Sequence, residues 1–94
     1  MTKYTVKYSS DFKKCLKKVT KQGKDIDKLM AIITSLANKE KLDPKFRNHK
    51  LSNDGYFSDC YECHIEPDWL LVYKYFDDEL VLLLVTTGNH SDLF

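Results

Sequence analysis

The apolar residues at the start of the chain alternate with polar ones and then change to a helical spacing. Tyr4, Val6 and Tyr8 alternate with polar neighbours, which is the period-two pattern of a strand with one buried face. Ser9–Asp11 then offers oxygens that can cap a helix, and apolar residues recur at i, i+3, i+4 and i+7. These residues are Phe12, Cys15, Leu16 and Val19. The pattern predicts a short strand and a first helix that ends near Gly23.

A second helical spacing begins after a short connector, Gln22–Lys24. Its apolar residues share one face and are Ile26, Leu29, Met30, Ile33 and Leu36 or Ala37. Asp25 and Asp27 suit the positive end of a helix dipole, so we expect the helix to run from there to about Ala37. The short connector predicts an antiparallel helix hairpin. The polar segment Asn38–Pro44 should end it, because proline discourages continuation of a helix.

Three strand-like runs follow in the second half of the chain, namely Phe57–Ile65, Trp69–Phe76 and Leu80–Thr87. Glu66–Asp68 and Asp77–Glu79 separate them and are short enough to be hairpin turns. Phe46–Leu51 is ambiguous between a loop and a short strand, and Ser52–Gly55 has the composition of a turn. Leu80–Val85 is apolar on both faces, which predicts an interior strand.

Together these elements predict one α+β domain over residues 1–94. Its order is β-α-α-β-β-β: an N-terminal strand, an antiparallel helix hairpin and a three-strand antiparallel meander. We expect a mainly antiparallel sheet that the helix pair covers on one side. A chain of 94 residues is long enough to bury a core without other support.

The formal net charge of +1 hides a strong division between the two halves of the chain. Residues 1–50 carry 14 Lys/Arg against 5 Asp/Glu, whereas residues 51–94 carry 1 against 9. Much of the positive charge lies on the polar face of the first predicted helix, here named the lysine face: Lys13, Lys14, Lys17, Lys18 and Lys21. This asymmetry indicates a polyanionic partner, with nucleic acid the first candidate. The alternative is that the lysines only solvate the helices.

The sequence also indicates where the protein resides. Its first residues lack the apolar region of a signal peptide, and Leu80–Val85, the longest apolar run, is too short to cross a bilayer. We therefore expect a cytoplasmic protein that does not enter a membrane. Its three cysteines should then be free thiols.

Candidate chemistry rests on the three histidines, His49, His64 and His90, and on Asp68. Each histidine alone is compatible with a structural role. Antiparallel pairing can nevertheless return all of them to one edge of the sheet, with Asp68 just past the turn from His64. Imidazole titrates near neutral pH, so two histidines and a carboxylate suffice for general acid–base cleavage of RNA. That reaction needs a base for the 2′-hydroxyl and an acid for the 5′-oxygen leaving group.

A metal or haem site is not predicted, although Cys60–His64 matches the C-x-x-C-H pattern of haem attachment. Residues three apart on a strand point to opposite faces, which separates the two thiols. A structural zinc site normally needs a second ligand pair, which the scattered histidines do not supply. We therefore expect neither a metal nor a cofactor.

Four aromatic residues offer ring faces on which an unstacked RNA base can lie. They are Tyr61, Trp69, Tyr73 and Phe94. The alternative for Trp69 and Tyr73 is that they only pack the sheet.

Three blocks of the sequence resemble the YafQ branch of the RelE/ParE toxin superfamily. They are Asn48–Leu51, Glu62–Tyr73 and Thr87–Phe94, and they contain the motifs H-I-x-P-D-W-L-L-x-Y and T-G-x-H-S-D-L-F. The resemblance covers nearly the whole chain, including the lysine-rich helix hairpin.

The resemblance implies the toxin of a type II toxin–antitoxin pair, which enters the ribosomal A site and cuts the mRNA there. The implied catalytic residues are His49, His64, Asp68 and His90. In that reading His90 is the general acid, Asp68 or His64 the base, and His49 positions the phosphate or relays a proton. The RNA- or ribosome-binding residues are then the lysine face, Arg47, Lys50, Trp69 and Phe94. The implied partners are a cognate antitoxin, the ribosome with its rRNA, the mRNA, and promoter DNA only through the antitoxin complex.

The sequence departs from the family pattern at two positions, Tyr61 and Thr86, where relatives commonly carry arginine. A guanidinium there can hold the scissile phosphate and its developing charge. Arg47, Lys50 or a protonated histidine are the candidates to replace them, and weak activity is one expectation. Asn89 replaces the usual threonine.

Two other functions stay open at the level of sequence. One is a non-catalytic toxin or binding module of the same fold that acts on another target, as the gyrase-inhibiting relatives do. The other is a small basic RNA-binding protein without an antitoxin. The histidine set favours the nuclease, because a purely obstructive protein does not need it.

Overall fold

A computed structural model describes residues 2–51 and 58–93. Its elements are β1 (Thr5–Tyr8), α1 (Ser10–Lys21), α2 (Ile26–Ala37), a 3-10 turn (Pro44–Phe46), β2 (His49–Lys50), β3 (Tyr61–Glu66), β4 (Trp69–Phe76), β5 (Val81–Gly88) and α3 (His90–Leu93). The predicted α+β class is confirmed, and the structure adds the short strand β2 and the helix α3 to the predicted β-α-α-β-β-β order. The predicted turn at Ser52–Gly55 lies outside the described residues, as do Phe57 and Phe94.

The two predicted helices begin and end as their caps dictate. Ser9 Oγ accepts a hydrogen bond from the Phe12 amide at 2.9 Å, and Asp25 Oδ1 accepts one from the Lys28 amide at 3.1 Å. α1 ends just before Gly23, whose φ of 78° is the left-handed conformation that closes many helices. These local signals explain why the sequence located both helices well.

One sheet joins all five strands in the order β1-β5-β4-β3-β2. Neighbouring strands from β2 to β5 pair antiparallel, and β1 alone pairs parallel, with β5. The mainly antiparallel sheet and the β3–β4–β5 meander are thus as predicted. The meander is tight because Pro67 and Asp68 form a two-residue turn between β3 and β4.

The main core lies between the sheet and the helix pair. Phe12 of α1 and Leu29 and Leu36 of α2 are almost fully buried there, against residues of β3, β4 and β5. On the strands the buried side chains are Cys63, Ile65, Trp69, Leu71, Tyr73, Leu82 and Leu84. Burial of a large apolar side chain is worth about 1.5–3 kcal/mol, so this cluster supplies most of the driving force for folding.

A second, smaller apolar cluster is formed by Cys60 and Val72, with Leu51, Val85 and Leu93 packed against them. Leu93 belongs to α3, a short C-terminal helix that the sequence pattern did not reveal. The interior position predicted for Leu80–Val85 is confirmed, since β5 lies between β1 and β4, although β5 begins only at Val81. Within the described ranges, no helix is long and apolar enough to cross a membrane.

Candidate active site

The predicted site begins at β3, where Glu62 and His64 are two residues apart and share one face of the strand. The segment that was ambiguous in sequence forms β2, which pairs antiparallel with β3 and places His49 opposite Glu62. His49 Nε2 lies 3.6 Å and His64 Nε2 lies 3.3 Å from the same carboxylate oxygen, Glu62 Oε1. Two histidines that are 15 residues apart in sequence therefore meet on one buried carboxylate.

The second ring nitrogen of each histidine faces a backbone carbonyl. His49 Nδ1 lies 2.7 Å from the Arg47 carbonyl oxygen, and His64 Nδ1 lies 3.4 Å from that of Pro67. Arg47 has a left-handed φ of 49° where it closes the 3-10 turn, which aims its carbonyl back at His49. The chain geometry on either side of each ring thus fixes the orientation of the imidazole.

A cavity of about 340 Å³ opens beside His64. Its lining includes three cationic side chains, Lys28, Lys45 and Arg47, together with Phe46, Ile65, Glu66 and Pro67. Glu66 pairs with Lys28 at 3.8 Å and neutralises part of that charge. The cavity has the charge and size to receive a phosphate group of a nucleic acid.

Asp68 and His90 lie at the same end of the sheet as His64. Asp68 is exposed in the turn after Pro67, and His90 is exposed at the start of α3, two residues beyond Gly88. Leu70 of β4 pairs with both His64 and Gly88, so His64 and Gly88 stand about 10 Å apart at two strand spacings. The structure brings His49 and His64 together and places Asp68 and His90 at the same end of the sheet as His64.

The aromatic residues that were candidates for RNA stacking are largely unavailable to a base. Trp69 is 0% exposed and Tyr73 is 1% exposed, so both rings pack inside the protein and neither presents a face to a base. The Trp69 indole packs in the core, donates to Thr87 Oγ1 at 2.9 Å and has Lys24 Nζ 5.7 Å from its ring. Tyr61 stacks on Tyr73 with ring centroids 5.7 Å apart.

The two positions at which relatives commonly carry arginine are occupied here by side chains that pack against other residues of the protein. Tyr61 packs against the main core, and Thr86 is 2% exposed with its Oγ1 3.4 Å from Cys15 Sγ. Neither replaces the missing charge. Arg47, named from the sequence as a substitute, does line the cavity, while Lys50 is exposed directly after His49.

The lysine face is exposed along α1, as its helical spacing predicted. One member, Lys18, pairs with Asp92 of α3 at 3.4 Å. That ion pair ties the lysine face to the short helix that carries His90.

Glu62 is the residue that sequence reasoning missed. It is 4% exposed, which is rare for a carboxylate without a compensating partner. The signal was the Glu-x-His spacing on a predicted strand, because alternation places both side chains on one face. The partner across the sheet, His49, depends on the β2 pairing and was not predictable.

All three cysteines are free thiols; Cys60 and Cys63 are buried, and Cys15 is half-buried. Burial, with a smaller effect of the Glu62 charge, raises the pKa of Cys63 to about 12. Burial also raises the pKa of Cys60. Across residues 2–51 and 58–93, no group of three His, Cys, Asp or Glu side chains is arranged to hold a metal ion.

Comparison with known proteins places this arrangement in a family. Residues 4–94 match the family described as bacterial toxin of type II toxin-antitoxin system, YafQ. The mRNA interferase toxin YafQ of Escherichia coli K12 is 34% identical over 95 residues, covering 100% of this chain and 99% of the relative. The same toxin from the BL21-DE3 strain is 35% identical over 97 residues, with 100% and 99% covered.

Solved structures of similar toxins share the fold of this chain. A metal-bound toxin from Helicobacter pylori superposes with a TM-score of 0.89 at 40% identity, covering 100% of both chains. The E. coli DinJ-YafQ complex gives a TM-score of 0.85 at 34% identity, covering 97% of this chain and 98% of that one. The chain therefore belongs to the YafQ family of bacterial toxins of type II toxin–antitoxin systems.

Proposed function

We propose that this chain is a toxin that cuts mRNA in the ribosomal A site by general acid–base catalysis. The observation that carries the proposal is the pair of imidazoles at 3.6 and 3.3 Å from Glu62 Oε1, beside a cavity lined by cations. Its relatives in E. coli bear the name mRNA interferase toxin, which supports the same activity here.

The reaction needs one group to remove the proton of the ribose 2′-hydroxyl and another to protonate the departing 5′-oxygen. The 2′-oxygen then attacks phosphorus while the bond from phosphorus to the 5′-oxygen breaks, leaving a cyclic phosphate and a free 5′-hydroxyl. We assign His90 as the general acid and Asp68 or His64 as the base. His49 positions the phosphate or relays a proton. His49 lies on β2, His64 on β3, Asp68 in the turn between β3 and β4, and His90 at the start of α3.

Negative charge grows on the phosphate oxygens during the reaction, and fixed cations nearby stabilise it. Arg47, Lys45 and Lys28 line the cavity next to His64 and are our candidates for this role. Arg47 is the best placed chemically, because a guanidinium binds phosphate with two parallel hydrogen bonds. In this proposal these cations replace the arginines that relatives commonly carry at positions 61 and 86.

The partners follow from the charge of the surface. We propose that the lysine face binds rRNA and orients the site toward the mRNA. The E. coli relative is known in a complex named DinJ-YafQ, and we expect a cognate antitoxin to bind this chain as well. Promoter DNA is expected to be bound only through the antitoxin complex, and the action takes place in the cytoplasm.

The test is to map mRNA ends in cells that express the wild type, His64→Ala or His90→Ala. Loss of one acid–base group costs about 100-fold or more in rate, so cuts in the reading frame should disappear in both variants. Glu79→Gln is the control, because Glu79 lies in the turn before β5, whereas His90 follows the other end of that strand. This variant should cut mRNA as the wild type does. Equal cutting by the histidine variants would contradict the assignment.

The second candidate function is a toxin of the same fold that does not cut RNA. It is favoured by the loss of arginine at positions 61 and 86, both occupied here by packed side chains. Growth arrest without new mRNA ends in wild-type cells would select this function over the nuclease.

A further inference from the structure

Phe46 brings an aromatic ring to the cavity that opens beside His64. It ends the 3-10 turn Pro44–Phe46, is half-buried and packs partly against the main core. The carboxylate of Asp43 accepts a hydrogen bond from the Lys45 amide at 2.9 Å, and the Phe46 amide donates to the Asp43 carbonyl at 3.0 Å. These bonds hold the turn, and with it the ring, in the wall of the cavity.

The cavity is larger than a phosphate group needs, and its lining suits a whole nucleotide. Its volume of about 340 Å³ lies within the range of about 300–1,000 Å³ that is typical of small-molecule sites. Phe46, Ile65 and Pro67 give it apolar surface next to the three cations described above. A nucleotide has a flat, largely apolar base and an anionic phosphate. The cavity offers a matching surface for each.

Phe46 also lines a second cavity, of about 230 Å³, and Lys28 is likewise shared by both. Lys41 adds a further positive charge there, and Asp43 is the acid in its lining. The other lining residues are Ala31, Ile32, Ser35 and Leu42. A nucleic acid strand that occupies both cavities therefore contacts the Phe46 ring.

Among the rings that the structure describes, Phe46 is better placed for a base than the candidates named from the sequence. Trp69 and Tyr73 are buried, and Tyr61 stacks on Tyr73. Lys45 Nζ lies 5.2 Å from the centre of the Phe46 ring, so this ring already attracts a cation. Lys45 is exposed and has a flexible side chain, so its ammonium can move to a phosphate when a base takes its place.

We infer that Phe46 is the residue on which one base of the A-site codon stacks, in the cation-lined cavity next to His64. The inference rests on the proposed function for the identity of the RNA, whereas the fit of the ring to a base does not depend on it. Single-stranded RNA is commonly bound by such stacking, and every base has a face that can stack. Phe46 thus holds the nucleotide in place without selecting its base.

The first test does not depend on cleavage. Toxin with 13C-labelled phenylalanine is titrated with a single-stranded RNA whose riboses carry 2′-O-methyl groups, which block attack by the 2′-oxygen. The NMR signals of the Phe46 ring should shift, and an abasic RNA of the same length should not shift them. Phe76 is the control ring, because it is 38% exposed at the far end of β4 and has Lys74 Nζ 5.2 Å from its centre. Its signals should not shift with either RNA.

The second test uses cleavage on programmed ribosomes. Phe46→Leu keeps an apolar side chain against the core and removes the ring, so kcat/KM should fall about fivefold or more. Phe46→Tyr keeps the ring and should cut at nearly the wild-type rate. Phe76→Leu is the matched control and should also cut as the wild type does.

An mRNA with one abasic nucleotide in the A-site codon separates stacking from a structural role. Where the missing base is the one that stacks, Phe46→Leu should cost less than about twofold, because the interaction is already absent. A purely structural role predicts the same loss on every mRNA. A full loss at every abasic position of the codon would overturn the inference, and so would unchanged cutting by Phe46→Leu.

The titration of the wild type also covers the case in which Phe46→Leu does not fold. If the wild type cuts no mRNA, the proposed function fails, and the titration still decides whether Phe46 binds a base. Ring signals that stay in place with RNA, or shift equally with the abasic strand, would overturn the inference. Signals that shift only when a protein antitoxin binds would assign the cavity to that partner and overturn it as well.

Discussion

Thr87→Val should destabilise the protein strongly, although the new side chain has nearly the same shape. Thr87 is 1% exposed, and its hydroxyl accepts a hydrogen bond from Trp69 Nε1 at 2.9 Å and donates one to the Leu70 carbonyl at 2.7 Å. These bonds join β5 to the start of β4, directly after the turn that carries Asp68. Valine fills the space but offers neither a donor nor an acceptor.

The size of the effect follows from the groups left behind. Each intramolecular hydrogen bond contributes about 1 kcal/mol net, and an orphaned buried donor costs about 1–3 kcal/mol. The indole N–H of Trp69, which is 0% exposed, loses its partner, so we expect a loss of about 2–4 kcal/mol in the free energy of unfolding. Domains of this size have about 5–15 kcal/mol in total, so the variant should still fold.

Urea unfolding followed by tryptophan fluorescence measures this loss, because Trp69 is the single tryptophan of the chain. Thr87→Ser is the control, since it keeps the hydroxyl and removes one methyl group, at a cost of about 1 kcal/mol. In Trp69→Phe, where circular dichroism replaces fluorescence, Thr87→Val should cost much less than in the wild type. A loss below about 0.5 kcal/mol in Thr87→Val, with an unchanged m-value, would refute the reasoning.

Three further predictions concern the thiols, the half-buried phenol of Tyr75 and the lysine face. An alkylating reagent should label half-buried Cys15 in the folded protein and spare Cys60 and Cys63, because burial raises the pKa values of those two thiols. Mass spectrometry should find all 3 cysteines labelled only in urea. Full labelling without urea would contradict this prediction. Burial, more than nearby negative charge, raises the pKa of Tyr75 from 10.0 to about 12, so the fold favours the neutral phenol. The stability that this preference contributes is complete below pH 10.0 and is lost as the pH rises toward 12. Tyr75→Phe should therefore lose less of its free energy of unfolding over this pH range, as measured by denaturation curves. An identical pH dependence of that free energy in both proteins would contradict the prediction. Glutamate in place of every lysine of the lysine face should lower ribosome affinity about tenfold or more and reduce its salt dependence in co-sedimentation, and unchanged binding would remove this face from the proposed interface.

The fold was largely predictable because its signals are local. Ser9 caps the first helix, as the oxygens of Ser9–Asp11 predicted, and the second helix begins after Asp25, whose charge was expected at its positive end. Apart from Ile32, the buried residues of each helix come from its predicted apolar face. The parallel pairing of β1 with β5 was not predictable, because residues 76 positions apart must meet. α3 was missed because a single helical turn leaves no periodicity to read.

The candidate site was predictable in composition but not in arrangement. The sequence identified His49, His64, Asp68 and His90, whereas the structure adds Glu62 as the point where two of them meet. That meeting requires a two-residue strand whose register no sequence pattern specifies. Trp69 was a candidate for RNA binding because its aromatic ring is next to candidate catalytic residues in sequence, whereas in the structure the ring is buried and its Nε1 donates to Thr87 Oγ1.

Cleavage of a defined mRNA by the purified toxin, with and without programmed ribosomes, tests the central claim most directly. The account predicts cuts only on ribosomes, within the A-site codon, with a 5′-hydroxyl on the downstream fragment. His64→Ala and His90→Ala should each lower the single-turnover rate by about 100-fold or more. Intact mRNA on ribosomes with the wild type, or cuts that persist at the wild-type rate in both variants, would contradict it.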